Sequence, residues 1–209
     1  MTNVTRPELI ACAFGILVGA LAYYYLLTGQ LVPALPLTAT ESTHQHDEMT
    51  SEHHTHADFH IRIEERLLDL ARPELMTTDT QELHPDVHLH DGVGTAVHFH
   101  APDISFGAFL SSLGFSYTEG CLTTMDDETY CDSSDAAWTL YVNDEPHTGD
   151  WFAYQPADLD RLLLFYGSST DPQLDSYLKM VPDEACIYSG SCPERGTAPP
   201  ESCGLTCEL

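Results

Sequence analysis

Polar and apolar residues alternate along three short segments of this chain: His56-Ala57-Asp58-Phe59-His60-Ile61-Arg62-Ile63, Val87-His88-Leu89-His90 and Val97-His98-Phe99-His100. Successive side chains of a β-strand point to opposite faces, so each segment predicts a strand with one apolar face for a core and one face carrying histidines. The last two segments are joined by Asp91-Gly92-Val93-Gly94-Thr95-Ala96, a glycine-rich stretch suited to a hairpin. A three-residue loop at Gly92 to Gly94 pairs Asp91 with Thr95, His90 with Ala96 and His88 with His98, and keeps all four histidines on one face. Loops of two or four residues set His88 beside Val97 or Phe99 and would bury imidazole, so parity selects the odd loop.

Further along, other periods appear. Leu67 to Leu70 reads as a strand joined to the first by a short turn. Ser105 to Leu113 reads as a helix, with Ser105 as N-cap, Phe106, Phe109, Leu110 and Leu113 as its buried stripe, and Gly114 as its stop. Trp138 to Val142 and Arg161 to Tyr166 predict two more strands, separated by the turn Asn143-Asp144-Glu145-Pro146, and Asp171 to Met180 predicts a second short helix. Hairpin, helix and further strands make an α+β fold. Their order resembles the β-grasp arrangement of ubiquitin-like domains, in which one helix packs on a mixed sheet. The histidines then fall on the face that this helix does not cover.

Upstream, Leu9 to Leu27 is apolar and uncharged, close to the roughly 20 residues that cross a hydrocarbon core as a helix. Arg6 precedes it and no basic residue follows before Arg62, which places the N-terminus inside and the remainder outside the cell. A cleaved signal peptide fits less well, because the apolar run is long and Thr28 to Pro33 offers no small-residue cleavage site. Four regions follow: an anchor helix over 1–32, a polar linker over 33–52 that carries His44 and His46, a histidine-rich β-grasp-like domain over 53–181, and a cysteine-rich tail over 182–209.

Composition narrows the partners. Asp and Glu number 33 against 7 Lys and Arg, for a net charge of −26. Such a surface repels nucleic acid and concentrates cations, and it excludes a nucleic-acid-binding role. Six cysteines lie beyond the apolar run: Cys121, Cys131, Cys186, Cys192, Cys203 and Cys207. An even number in an exported domain predicts disulfides. Cys121 is assigned to Cys131, closing an acidic loop read as lacking apolar anchors. Cys186 with Cys192 and Cys203 with Cys207 continue the sequential pattern, although the last four also admit a crossed arrangement.

The candidate chemistry is metal binding. If the first strand lies beside the hairpin, His56, Asp58, His60, His88, His90, His98 and His100 converge. Neutral imidazole with a carboxylate suits a transition metal, copper or zinc, whereas magnesium and calcium want oxygen ligands. Binding is expected at neutral pH, with release as imidazoles protonate near about pH 5–6. A pH-sensing histidine face is the alternative that needs no metal. Zinc-dependent hydrolysis is the lesser reading, since Asp58, Asp91 or Glu64 would have to serve as general base without good geometry.

The elements His56-Ala57-Asp58-Phe59-His60, His88-Leu89-His90-Asp91-Gly92, His98-Phe99-His100-Ala101-Pro102, Leu140-Tyr141-Val142-Asn143 and Cys192-Pro193-Glu194-Arg195-Gly196 resemble a family of membrane-anchored, histidine-rich surface proteins of archaea and small-genome bacteria. The resemblance implies a cell-surface location and a histidine site but no activity. An expectation from another class is a structural subunit. In it the N-terminal apolar helix packs into the core of a homo-oligomeric filament, with histidines or metal at subunit contacts.

Overall fold

The alternation that starts at His56 runs through one long strand, β1 (Thr55–Ile63), paired on both edges. The computed structural model describes residues 53–199; the apolar segment 9–27, the linker 33–52, and Cys203 and Cys207 lie outside them. Along its first half β1 pairs antiparallel with Ala96–Phe99, and along its second half parallel with Arg161–Gly167.

In chain order the remaining strands of this sheet are β2 (Arg66–Leu67), β3 (Val87–His88), β4 (Ala96–Phe99), then β8 (Ala137–Val142), β9 (Glu145–Pro146) and β10 (Arg161–Gly167). Their order across the sheet is β3-β4-β1-β10-β8-β9, with β2 folded back on the far end of β1. The short strands β5 (Ser116–Thr118), β6 (Cys121–Thr123) and β7 (Thr129–Cys131) form a separate three-stranded sheet. The first strand of the main sheet, expected as an addition beside the hairpin, is therefore central. The extension expected over Leu67 to Leu70 ends early because the Asp69 carboxylate accepts the Ala71 N–H at 3.0 Å and turns the chain.

The hairpin keeps the expected parity but not the expected loop. His88 opposes His98 and Val87 opposes Phe99. Beyond them the ladder is diverted: the Thr77 N–H takes the Leu89 carbonyl at 2.7 Å, and Ala96 pairs with Asp58 of β1. The reversal is a tight turn, with Val93 N–H donating to the His90 carbonyl at 3.0 Å and Asp91 and Gly92 at φ of 56° and 74°. Positive φ at both central residues is what the strand twist favours. Gly94 then lies against the backbone of Leu70 and Ala71, where a Cβ would stand 2.3 Å from the Ala71 nitrogen.

One face of the sheet is the core. Ala57, Phe59, Ile61, Val87, Leu89, Val97, Phe99, Leu162 and Leu164 pack beneath the helix α1 (Phe106–Ser112). The rings of Phe59 and Phe109 meet edge to face at 5.1 Å. Ser105 caps α1 through the Ala108 N–H at 3.0 Å, and Gly114, at φ 91°, takes the chain out of it.

The other face is also covered, by the segment expected to be a cysteine-stapled tail and the helix before it. Helix α2 (Leu174–Met180) starts after an Asx turn at Asp171 and sets Tyr177 on Tyr141, Leu163 and Phe165. Arg161 fastens its end by donating to the carbonyls of Leu178, Val181 and Pro182 at 2.9–3.1 Å. The short helix α3 (Ala185–Tyr188) follows, with Cys186 bonded to Cys192.

Cys121 and Cys131 are bonded across directly opposed positions of β6 and β7. The loop they close is not without an apolar anchor: Leu122 is fully buried in the core, because the small sheet turns that face inward.

Candidate metal centre

Histidines on a strand face usually meet water. Here His56, His88, His90 and His98 are each no more than 1% exposed, while His100 is half-buried and His54 exposed. Strand register sets the layout. His56 of β1, His98 of β4 and His88 of β3 form one row of directly opposed residues, all on the face opposite the α1 core. His54 and His100 flank that row on one side and His90 on the other.

The rings follow one another closely. Centroid separations are 4.6 Å for His54 and His56, 4.6 Å for His56 and His98, 6.4 Å for His54 and His98, and 4.5 Å for His54 and His100. On the β3 side His88 lies 4.7 Å from His100 and 5.8 Å from His90, and His90 lies 3.9 Å from His98. The Tyr188 ring of α3 closes the roof at 5.1 Å from His98 and 5.8 Å from His56.

Two of these imidazoles are oriented by hydrogen bonds that settle which nitrogen carries the proton. His56 Nδ1 lies 2.8 Å from Ser189 Oγ, and Ser189 Oγ lies 2.6 Å from Asp158 Oδ1. A serine has one proton, and the carboxylate can only accept, so Ser189 donates to Asp158 and accepts from His56 Nδ1. The neutral His56 ring thus has its lone pair on Nε2. Asp158 also accepts the His56 backbone N–H at 3.0 Å, which fixes the same segment twice. His90 Nδ1 lies 2.8 Å from Asp91 Oδ2, so it too presents Nε2 as the basic nitrogen. An imidazole whose second nitrogen donates to a carboxylate or hydroxyl is the usual arrangement around a metal.

His54, His56 and His98 form a group that can hold a metal ion, with one nitrogen from each lying within 4.8 Å of the others. Three imidazoles suit a transition metal, and no ion identity follows from that alone.

Two of the residues read from the sequence do other work. The Asp58 Oδ2 accepts the backbone N–H groups of Glu184 and Ala185, both at 2.7 Å, and so ties down the start of α3. Burial raises its pKa, against the lowering effect of these two bonds. His60 lies further along β1 beside Leu68, Leu70, Gly94 and Thr95, and burial followed by the Arg62 charge lowers its pKa to about 4. Of the bases considered for hydrolysis, Asp58 and Asp91 are thus engaged, and Glu64 sits in the turn at the far end of β1.

Four participants went unread: His54, Tyr188, Ser189 and Asp158. His54 continues the even-numbered alternation by one more step, a signal present in the chain. The other three belong to loops and to the tail, and nothing local to them signals the site. Among the described residues no helix is long and apolar enough to cross a membrane. The chain matches no known protein-family profile, no curated protein sequence and no solved structure.

Proposed function

We propose that this chain is a cell-surface protein, held by the apolar segment 9–27, whose histidine-rich domain binds copper through His54, His56 and His98. The observation that carries this reading is the ring spacing. With metal–nitrogen bonds of about 2.0–2.1 Å and a ring centre roughly 1.15 Å beyond the nitrogen, two imidazoles on one ion have centroids about 4.5 Å apart at a right angle, about 5.2 Å at a tetrahedral angle and about 6.4 Å when opposed. The separations of 4.6, 4.6 and 6.4 Å all fall within the range open to rings that share one ion, with His56 between His54 and His98. Imidazole ligation of this kind suits copper(II).

Other features agree. A charge of −26 raises the local concentration of cations. Two disulfides suit an oxidising compartment outside the cytoplasm. The parallel pairing of the first and last long strands, with antiparallel strands outside them and α1 between, supports a β-grasp-like domain. Binding serves capture or structure in this reading, since the carboxylates nearest the rings are spent on orientation.

Titrating copper(II) and zinc separately into the full-length chain tests it. Copper(II) should bind stoichiometrically, with a tetragonal, nitrogen-coupled electron paramagnetic resonance spectrum. Most of that signal should disappear in a His56→Ala/His98→Ala variant that retains its near-ultraviolet circular dichroism. A folded variant that keeps the signal overturns the reading.

A further inference from the structure

We infer that the Cys186–Cys192 disulfide gates the copper site, so that the oxidised chain holds copper(II) and the chain reduced by a dithiol releases it; this rests on the copper-binding reading above. The two cysteines stand six positions apart and enclose both residues through which the tail meets the imidazoles. Tyr188 places its ring 5.1 Å from His98 and 5.8 Å from His56, and Ser189 Oγ lies 2.8 Å from His56 Nδ1.

The segment is anchored to the sheet at its start. Asp58 accepts the N–H groups of Glu184 and Ala185, and Arg161 donates to the Pro182 carbonyl. From Cys186 onward the backbone bonds turn back on the segment itself: the Ser189 N–H donates to the Ala185 carbonyl at 2.9 Å, and the N–H groups of Ser191 and Cys192 donate to the Cys186 carbonyl at 2.9 and 3.3 Å. The disulfide closes this same turn covalently. Opening it leaves α3 tied to β1 through Asp58 but frees the far side of the turn, and with it the hydroxyl that orients His56.

The sulfurs are placed for exchange. Cys186 is half-buried, whereas Cys192 is 8% exposed, so an incoming thiolate meets Cys186 first. Arg195 Nη1, which also pairs with Asp183 at 2.9 Å, lies 3.4 Å from Cys186 Sγ. On a chain of charge −26 this guanidinium supplies a local positive charge that draws a thiolate in. Attack of one dithiol sulfur on Cys186 Sγ breaks the Cys186–Cys192 bond, forms a mixed disulfide and expels the Cys192 thiolate, which takes up a proton. The second sulfur of the dithiol then displaces Cys186. Two cysteine thiols and one cyclic disulfide result, the dithiol having given two electrons and two protons.

The test compares copper(II) affinity in three oxidised full-length chains, by competition against a chelator. Cys186→Ser/Cys192→Ser stands for the opened gate without thiols that would take copper themselves, and should bind about tenfold more weakly than the wild type. Cys121→Ser/Cys131→Ser, which removes the staple of the small sheet, should leave the affinity unchanged. Adding Ser189→Ala to the first variant should cost little more, because both changes act through the orientation of His56. Separately, dithiothreitol applied to the metal-free wild type, followed by iodoacetamide and peptide mapping, should label Cys186 and Cys192 while the near-ultraviolet circular dichroism persists. Wild-type affinity in the first variant, equal weakening in both disulfide variants, or full additivity with Ser189→Ala overturns the gate and leaves copper binding intact. So does labelling, or a serine variant, that comes only with loss of the folded spectrum, since an opened gate must leave the domain folded. A wild type that binds no copper(II) overturns the copper-binding reading and the gate with it.

Discussion

His56 donates its Nδ1 proton to Ser189 Oγ across 2.8 Å, joining a strand at the start of the domain to a loop 133 residues later. Because Ser189 passes its own proton to Asp158, the bond has one direction, and it leaves the His56 lone pair on Nε2.

Ser189→Ala removes the acceptor and frees the ring to adopt the other tautomer. Copper(II) affinity should fall about 10–100-fold, as for other outer partners of metal-bound histidine, with thermal stability nearly unchanged. Competition against a chelator of known affinity measures this. An unaltered affinity would show that the relay does not orient the ligand.

Asp58 joins β1 to α3 through two N–H groups that have no other described use. Asp58→Ala should cost about 2–4 kcal/mol, because it strands two donors at a buried helix start. Copper affinity should fall with it, since α3 leads directly into Tyr188 and Ser189. Asn keeps an acceptor oxygen, so Asp58→Asn should recover most of both. Urea unfolding paired with copper titration separates this from direct ligation, in which Asn would fail to restore binding.

His60 sets a pH dependence. Its folded pKa of about 4 lies below the ordinary value of 6.5, first because burial disfavours its charge and second because Arg62 is near. The unfolded chain therefore takes up the proton first. Stability is full above about pH 6.5 and is lost as pH falls toward 4, by roughly 3 kcal/mol in all. His60→Leu should flatten this part of the profile. Equal urea midpoint shifts between pH 7 and pH 4.5 in variant and wild type would show that His60 does not govern it.

Two glycines of the hairpin differ in what they protect. At Gly92 a Cβ meets nothing within 4 Å, but φ is +74°, so Gly92→Ala should cost about 1–2 kcal/mol of backbone strain. At Gly94 the Cβ would meet the Leu70 and Ala71 backbone at 2.3–2.4 Å, which cannot yield as a side chain would. Gly94→Ala should cost more, about 3 kcal/mol or above, by pushing the hairpin off Leu70. Thermal unfolding of both variants gives the order.

The two faces of the sheet were legible in the chain, because strand alternation is local: a slip of one residue would turn His88 and His98 into the apolar core beneath α1 and set Val97 and Phe99 among the imidazoles. The cap at Ser105, the stop at Gly114 and the pairing of Cys121 with Cys131 were legible for the same reason, each being settled within a few residues. What alternation could not say is which strands become neighbours and what covers the histidine face. Asp58 shares a face with His56, yet α3 descends onto it and takes its carboxylate, while His60 on the same face lies outside the ring of imidazoles. Ser189 and Tyr188 reach the site only because β10, α2 and α3 return the chain to β1. Contacts between residues more than a hundred positions apart depend on the path of the whole chain, and no period of two or of 3.6 records it.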